Sequence, residues 1–205
     1  MLQSPDYRAR WLAQAIAMLS LALFLVGNAR ANPLLLVDMQ TSEVLMAQDA
    51  GRPWYPASLV KLATAFVTFR AIENGQLSLN TPVIISGRAA AAPPGKSGLA
   101  AETAISMEDA LNLLIVKSAN DVAIAIAESV SGSVENFVVE MNEAAGALGM
   151  TGTRFANPHG LFDANQVTTA RDMAVLSLAI RRHYPQYGGI FATSVVRIGE
   201  KSLRS

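Results

Sequence analysis

Apolar positions fall into one continuous run at the start of the chain, then into short blocks and helical stripes. Trp11 to Val26 carries no charge over sixteen residues, with Arg8 and Arg10 before it and Gly27-Asn28-Ala29-Arg30-Ala31 after it. A spanning helix needs roughly 20 apolar residues. A basic start, a short apolar stretch and a small-x-small end instead predict a secretory signal peptide over 1–31, cleaved after Ala31. Beyond it, PLLLVD (33–38) and EVLMA (43–47) flank Met39-Gln40-Thr41-Ser42 and read as a β-hairpin. Pro53 and Pro56 interrupt the pattern. From Ser58, SLVKLATAFVTFRAIENG repeats at helical spacing, with Leu59, Leu62, Ala63, Phe66 and Phe69 on one face and an Asn74-Gly75 stop.

The stretch through Thr81 to Ile85 reads as extended and AAAAPPGKSG (89–98) as a loop. A second helix starts at Ser106, with Glu108 and Asp109 in its first turn, and runs to Val116. Lys117-Ser118-Ala119-Asn120 breaks it, and Asp121 is placed to cap a third helix that continues to Val130. A fourth helix covers Val134 to Leu148, closed by Gly149. After the loop 153–166, a fifth runs from Thr169 to about His183. No internal repeat or low-complexity linker divides the chain, so residues 32–205 read as one α+β domain.

Composition narrows the chemistry. The chain has 205 residues, 51% hydrophobic and 16% charged, which excludes disorder. Lys+Arg 16 balances Asp+Glu 16, so no basic excess exists to neutralise phosphates and nucleic acid is a poor partner. Losing 1–31 removes Arg8, Arg10 and Arg30 against Asp6, which leaves a net charge of −2. No cysteine is present, which excludes disulfides, thiolate metal sites and a cysteine nucleophile. Two histidines, His159 and His183, are too few for most transition-metal sites.

Ser58-Leu59-Val60-Lys61 places a hydroxyl and an amine three residues apart, on one face of a helix. A serine needs a base to become a nucleophile. A lysine can be that base when burial lowers its pKa. The plain alternative is an N-cap serine beside a solvated lysine. Two Ser-x-Asn triplets occur: Ser78-Leu79-Asn80 in a polar linker, and Ser118-Ala119-Asn120 between two apolar helices, where polar groups must serve as caps or face a cleft. A Ser-His-Asp triad from Ser58, His159 and Asp163 or Asp172 is the rival constellation. No G-x-S-x-G elbow surrounds any serine, and Asn157-Pro158-His159-Gly160 is a turn sequence in which His159 reads as a hydrogen-bonding loop residue.

Taken in order, PASLVKLATA, VKSANDVAIAIAE some sixty residues later, and TRFANPHGLFDANQVTTARDMAVLS resemble the D-alanyl-D-alanine carboxypeptidases. These are low-molecular-weight penicillin-binding proteins of the penicillin-recognising serine enzymes. The resemblance covers residues 33 to about 200. It implies a β-lactamase/transpeptidase-like fold, with Ser58 as acylated nucleophile and Lys61 as its general base. By the same resemblance Ser118 relays a proton to the leaving D-alanine, and Asn120 hydrogen-bonds the substrate and Lys61. The substrate would be a peptidoglycan stem peptide ending in D-Ala-D-Ala, β-lactams would trap Ser58 as an ester, and no metal or organic cofactor is implied. A D,D-endopeptidase of the same family and a non-catalytic wall-binding remnant are the alternatives. No feature assigns the deacylating glutamate that a β-lactamase would need.

The family's third motif, Lys-Thr-Gly or Lys-Ser-Gly on a strand lining the cleft, has no counterpart in the right order. Lys96-Ser97-Gly98 stands between the first two motifs in loop context, and Lys201-Ser202-Leu203 lacks the glycine. Residues 32–205 are therefore expected to form a partial domain: the helices plus the single hairpin near 33–47, without the later sheet strands. Low intrinsic activity is expected, along with export to the periplasm or cell envelope. No membrane anchoring is encoded beyond the leading segment.

Overall fold

The computed structural model describes residues 32–198 and the backbone of 201–204; of the expected leader only Trp11 is described, so the signal-peptide assignment lies outside the described residues. Met1–Asn32 and Pro33–Ser205 are separate compact units, and all that follows concerns the second.

Three antiparallel ladders of two strands each are present among the described residues. β1 (Leu34–Val37) pairs with β2 (Val44–Gln48), Leu35 opposite Ala47, with a bulge between Leu36 and Val37. β3 (Pro82–Ile84) pairs with β4 (Ala104–Ser106). β5 (Val195–Ile198) pairs with β6 (Lys201–Arg204). The expectation of a single hairpin is therefore corrected. The Val195–Ile198 and Lys201–Arg204 runs pair from Val195 opposite Arg204 to Ile198 opposite Lys201. This ladder is held because Val196 buries against the helix Met107–Val116.

The helices are α1 (Val60–Glu73), α2 (Gly87–Ala90), α3 (Met107–Val116), α4 (Asn120–Ser131), α5 (Val134–Ala147), α6 (Ala170–His183) and α7 (Gly188–Phe191). Ser86, Ser106, Ser133 and Thr169 cap α2, α3, α5 and α6 by accepting a backbone N–H three residues on, as short hydroxyl side chains do at N-caps. α4 is the centre of the fold: every residue from Asn120 to Ala127 is buried, and α1, α2, α3, α5 and β3 pack around it. Such all-round burial explains its Ala/Ile/Val content, because small side chains let neighbouring helices approach from every side. In contrast, Leu34, Leu36, Val44, Leu45 and Met46 leave β1–β2 with exposed apolar side chains.

Two local expectations change. Ser58 does not begin the first helix; it lies in a 3-10 turn, Ala57–Leu59, that leads into α1. Pro56 fixes the entry, and Ala57 takes a left-handed backbone (φ 48°). Asp121 does not cap α4, whose N-cap is Ala119 with no side-chain bond. Its buried carboxylate accepts from the Ser97 backbone N–H (2.9 Å) and the Ser97 hydroxyl (2.6 Å). The Lys96-Ser97-Gly98 stretch is thus in a loop, as its context implied, and works as an anchor that ties residues 93–98 to the start of α4.

Asp121→Ala would strand the buried Ser97 N–H and hydroxyl, which costs about 1–3 kcal/mol per unpaired group. Urea unfolding should show a loss of this order, with the midpoint lowered and the slope unchanged.

Candidate active site

Four segments converge on Lys61. It sits in the first turn of α1, only 3% exposed. Its Nζ donates to Asn120 Oδ1 at 2.9 Å and to the His159 carbonyl at 2.5 Å. One turn further, Thr64 Oγ1 donates to the Pro158 carbonyl at 2.6 Å, so α1 is stitched to the 157–161 turn at two levels. Both of the lysine's partners are uncharged oxygens. Burial alone lowers the amine pKa to about 8, and no carboxylate restores it. Near neutral pH a useful fraction of Lys61 is free amine.

Asn120 is held as firmly as it holds. Its Nδ2 donates to the Pro94 carbonyl (2.8 Å) and its backbone N–H to the Gly95 carbonyl (2.7 Å). Gly95 has φ +95°, and a Cβ there would lie 3.0 Å from Asn120 Nδ2, so the loop passes close because it carries glycine. With Nδ2 committed to Pro94, Oδ1 is the atom left facing Lys61.

Ser58 is exposed at the mouth of a cleft of about 630 Å³ whose lining includes Tyr55, Lys61, Leu62, Leu114 and Ser118. Lys61 is the one charged side chain among the lining residues, and no strand residue contributes. Ser118 lies in the break between α3 and α4 with φ 54° and is half-buried. The break places Ser118 among the cleft-lining residues. All four residues singled out in the sequence (Ser58, Lys61, Ser118 and Asn120) therefore meet at one place, Ser58, Lys61 and Ser118 lining the cleft and Asn120 bonded to the Lys61 amine. Ser78-Leu79-Asn80 stays in a turn, where Ser78 N–H bonds Thr81 Oγ1.

The Ser-His-Asp alternative is not assembled. His159 Nδ1 accepts from the Leu161 N–H at 3.1 Å, and burial, with the nearby Lys61 and Arg88 charges, pushes its pKa down to about 4. Asp163 Oδ1 accepts from Asn165 N–H. Asp172 accepts from Gly152 N–H and Thr153 Oγ1 at the base of the loop. What the sequence reading missed is the role of the backbone: the Pro158 and His159 carbonyls, and Gly160. Gly160 has φ +87°, and a Cβ on it would stand 2.0 Å from the Ala57 carbonyl oxygen, so the turn lies directly against the backbone that presents Ser58. Among the described residues no three His, Asp or Glu side chains are grouped to hold a metal, and no single helix is long and apolar enough to cross a membrane.

This fold is that of the penicillin-binding proteins. A penicillin-binding protein 5 from Haemophilus influenzae superposes with a TM-score of 0.79 at 32% identity, over 87% of this chain and 53% of that one. Penicillin-binding protein D2 from Listeria monocytogenes, in its cefotaxime-bound form, gives 0.75 at 27% identity, over 86% and 72%. Within that class, the sequence profile of the D-alanyl-D-alanine carboxypeptidases matches residues 24–201, and the chain belongs to that family. The D-alanyl-D-alanine carboxypeptidase DacA of Haemophilus influenzae is 36% identical over 166 residues, 79% of this chain and 42% of that protein. The chain spans about two fifths of the length of the first curated relatives it matches.

The lowered Lys61 pKa has a consequence for stability. Below about pH 8 both folded and unfolded chains hold the proton, and the folded state bears the full cost of burying an ammonium. Between about pH 8 and the ordinary value of 10.5 the unfolded chain binds more protons, so stability rises with pH, by up to about 1.4 kcal/mol per unit. The unfolding free energy of the wild type minus that of Lys61→Met, from urea melts at pH 7 to 10.5, should climb across this window and stay flat below it.

Proposed function

We propose that this chain carries the acylating centre of a serine-type D-Ala-D-Ala carboxypeptidase acting on peptidoglycan stem peptides. The observation that supports the reading best is the buried Lys61 amine, held between two uncharged oxygens beside the cleft that exposes Ser58. Lys61 takes the Ser58 hydroxyl proton as Oγ attacks the carbonyl carbon of the penultimate D-alanine. The acyl–oxygen ester forms, the peptide C–N bond breaks, and the departing D-alanine amine takes a proton relayed through Ser118. Asn120 bonds the substrate while fixing Lys61. Water then cleaves the ester, which releases the trimmed peptide and returns Ser58 to its hydroxyl form. β-Lactams enter the first half of this sequence and stay as the Ser58 ester. The chain is exported, residues 1–31 serve as the leader, and the site works on the envelope side, in keeping with wall maturation and cell shape.

The resemblance gives a strand-borne lysine to the substrate carboxylate and an oxyanion donor to the same strand. Among the described residues no strand lines the cleft, and loss of one oxyanion donor costs about 10²–10³ in rate. Acylation by a strained β-lactam is therefore expected to outlast turnover of a stem peptide.

Residues 32–205 incubated with benzylpenicillin should gain one penicilloyl group per chain by intact mass, and Ser58→Ala should gain none. D-Alanine release from a linear pentapeptide should be weak. A folded wild type that takes up no adduct would leave the wall-binding reading standing, and cleavage of cross-linked rather than linear muropeptides would favour the endopeptidase.

A further inference from the structure

The carbonyl that receives Lys61 belongs to a turn with an unusual amount of side-chain support. Gln166, 2% exposed, reaches both ends of it: Oε1 accepts from the Ala156 and Asn157 N–H groups at 3.2 Å each, and Nε2 donates to the Leu161 carbonyl at 3.2 Å. Asn157 braces the interior, accepting from Gly160 N–H at 2.7 Å and donating to the Leu161 carbonyl at 3.0 Å. A primary amide supplies acceptor and donor from one planar group of this size. An ionised carboxylate would lack the donor, and an aliphatic side chain would leave the Ala156 and Asn157 N–H groups unpaired and the Leu161 carbonyl with Asn157 alone.

A neutral lysine amine has two N–H bonds and one lone pair. Asn120 Oδ1 and the His159 carbonyl take both N–H bonds. The lone pair is left for a direction that neither acceptor occupies, and Lys61 lines the same cleft as Ser58. Asn120 is fixed from α4 and the 93–98 loop; the His159 carbonyl is fixed only as well as its turn.

We propose that Gln166 is a positioning residue for Lys61: by fastening both ends of the 156–161 turn it fixes the His159 carbonyl, which with Asn120 aims the amine lone pair at Ser58. The inference rests on Lys61 acting as the base, and it adds a residue outside the four that the motifs name. Gln166 touches neither Lys61 nor the cleft and acts through the turn. The titratable group facing Lys61 from that turn is the His159 imidazole, neutral throughout the Lys61 titration. On α4 the facing group is Asn120, with Asp121 turned to Ser97. On its own helix and across the cleft, Thr64, Ser58 and Ser118 are uncharged.

A carbonyl beside Lys61 favours the ammonium over the amine, so its withdrawal lowers the pKa further, whereas general loosening of the fold does not move it that way. The sequence contains four lysines (Lys61, Lys96, Lys117 and Lys201), so carbon-13 labelling at lysine Cε gives few resonances, and Lys61→Met identifies the one that matters. The full chain would be titrated as wild type, Gln166→Leu, Asn157→Ala and Ser106→Ala, the last the cap of α3 at the end that does not line the cleft. The Lys61 midpoint should fall by about one unit in both turn variants, the scale of one lost charge-assisted hydrogen bond, and stay in place in Ser106→Ala. Benzylpenicillin acylation of Ser58 should slow about tenfold or more in the turn variants. A Lys61 midpoint that stays or rises in folded turn variants would overturn the proposal. This readout needs no turnover: a wild type that fails to acylate would remove the proposed function, and the titration would still decide the role of Gln166. If Gln166→Leu does not fold, Asn157→Ala decides alone.

Discussion

An amine buried without a carboxylate is the constraint to which the centre of this fold answers. Taking an ammonium out of water costs free energy unless the surroundings supply acceptors, and here the acceptors are an amide oxygen and a backbone carbonyl. A carboxylate in place of Asn120 would repay the cost and keep the proton on. The neutral partners accept it instead, and the result is a base poised near neutrality. That arrangement lowers stability below pH 8, the kind of local sacrifice that active sites make and that the rest of the fold must offset.

The offset is visible in how each acceptor is secured. Asn120 stands at the N-terminus of the most deeply buried helix, gripped by the Pro94 and Gly95 carbonyls, and the next residue, Asp121, ties the same loop down through Ser97. The His159 carbonyl comes from a loop anchored at its base by Asp172 on Gly152 and Thr153, at Phe155 by Asn142, and near Ser58 by the bridge between Trp54 and Thr168. Gly160 then lets the turn lie against Ala57. Segments separated by up to a hundred residues thus share one job, to keep two oxygens on one nitrogen while Ser58 stays open to the cleft.

Much of this was legible in the residues. Helical spacing marked α1, α3, α5 and α6 to within a residue or two, because each carries a regular apolar stripe and the last three also begin at a serine or threonine cap. Ser58, Lys61, Ser118 and Asn120 were recognisable because their chemistry resides in side chains and their order is specific to a family. The rest was hidden for physical reasons. The Pro158 and His159 carbonyls are main-chain atoms and leave no letter in the sequence. Asp121 looked like a cap because acidic residues at a helix start usually are, until Ser97 arrives from a loop that reads as a stray motif. Gln166 carries no signal of its own, and its value depends on a turn eight residues back. The β5–β6 hairpin went unseen because strands of four residues without regular alternation are too short to stand out beside helices of fourteen.

If Lys61 is the base that frees Ser58, the pH dependence of acylation carries its ionisation most directly. The second-order rate constant for benzylpenicillin on the wild-type chain, followed by mass from pH 6 to 10, should rise with a single ionisation near pH 8 and then level off. A rate that is flat across that range, or that falls as the amine is unmasked, would contradict the account and take the buried lysine out of the chemistry.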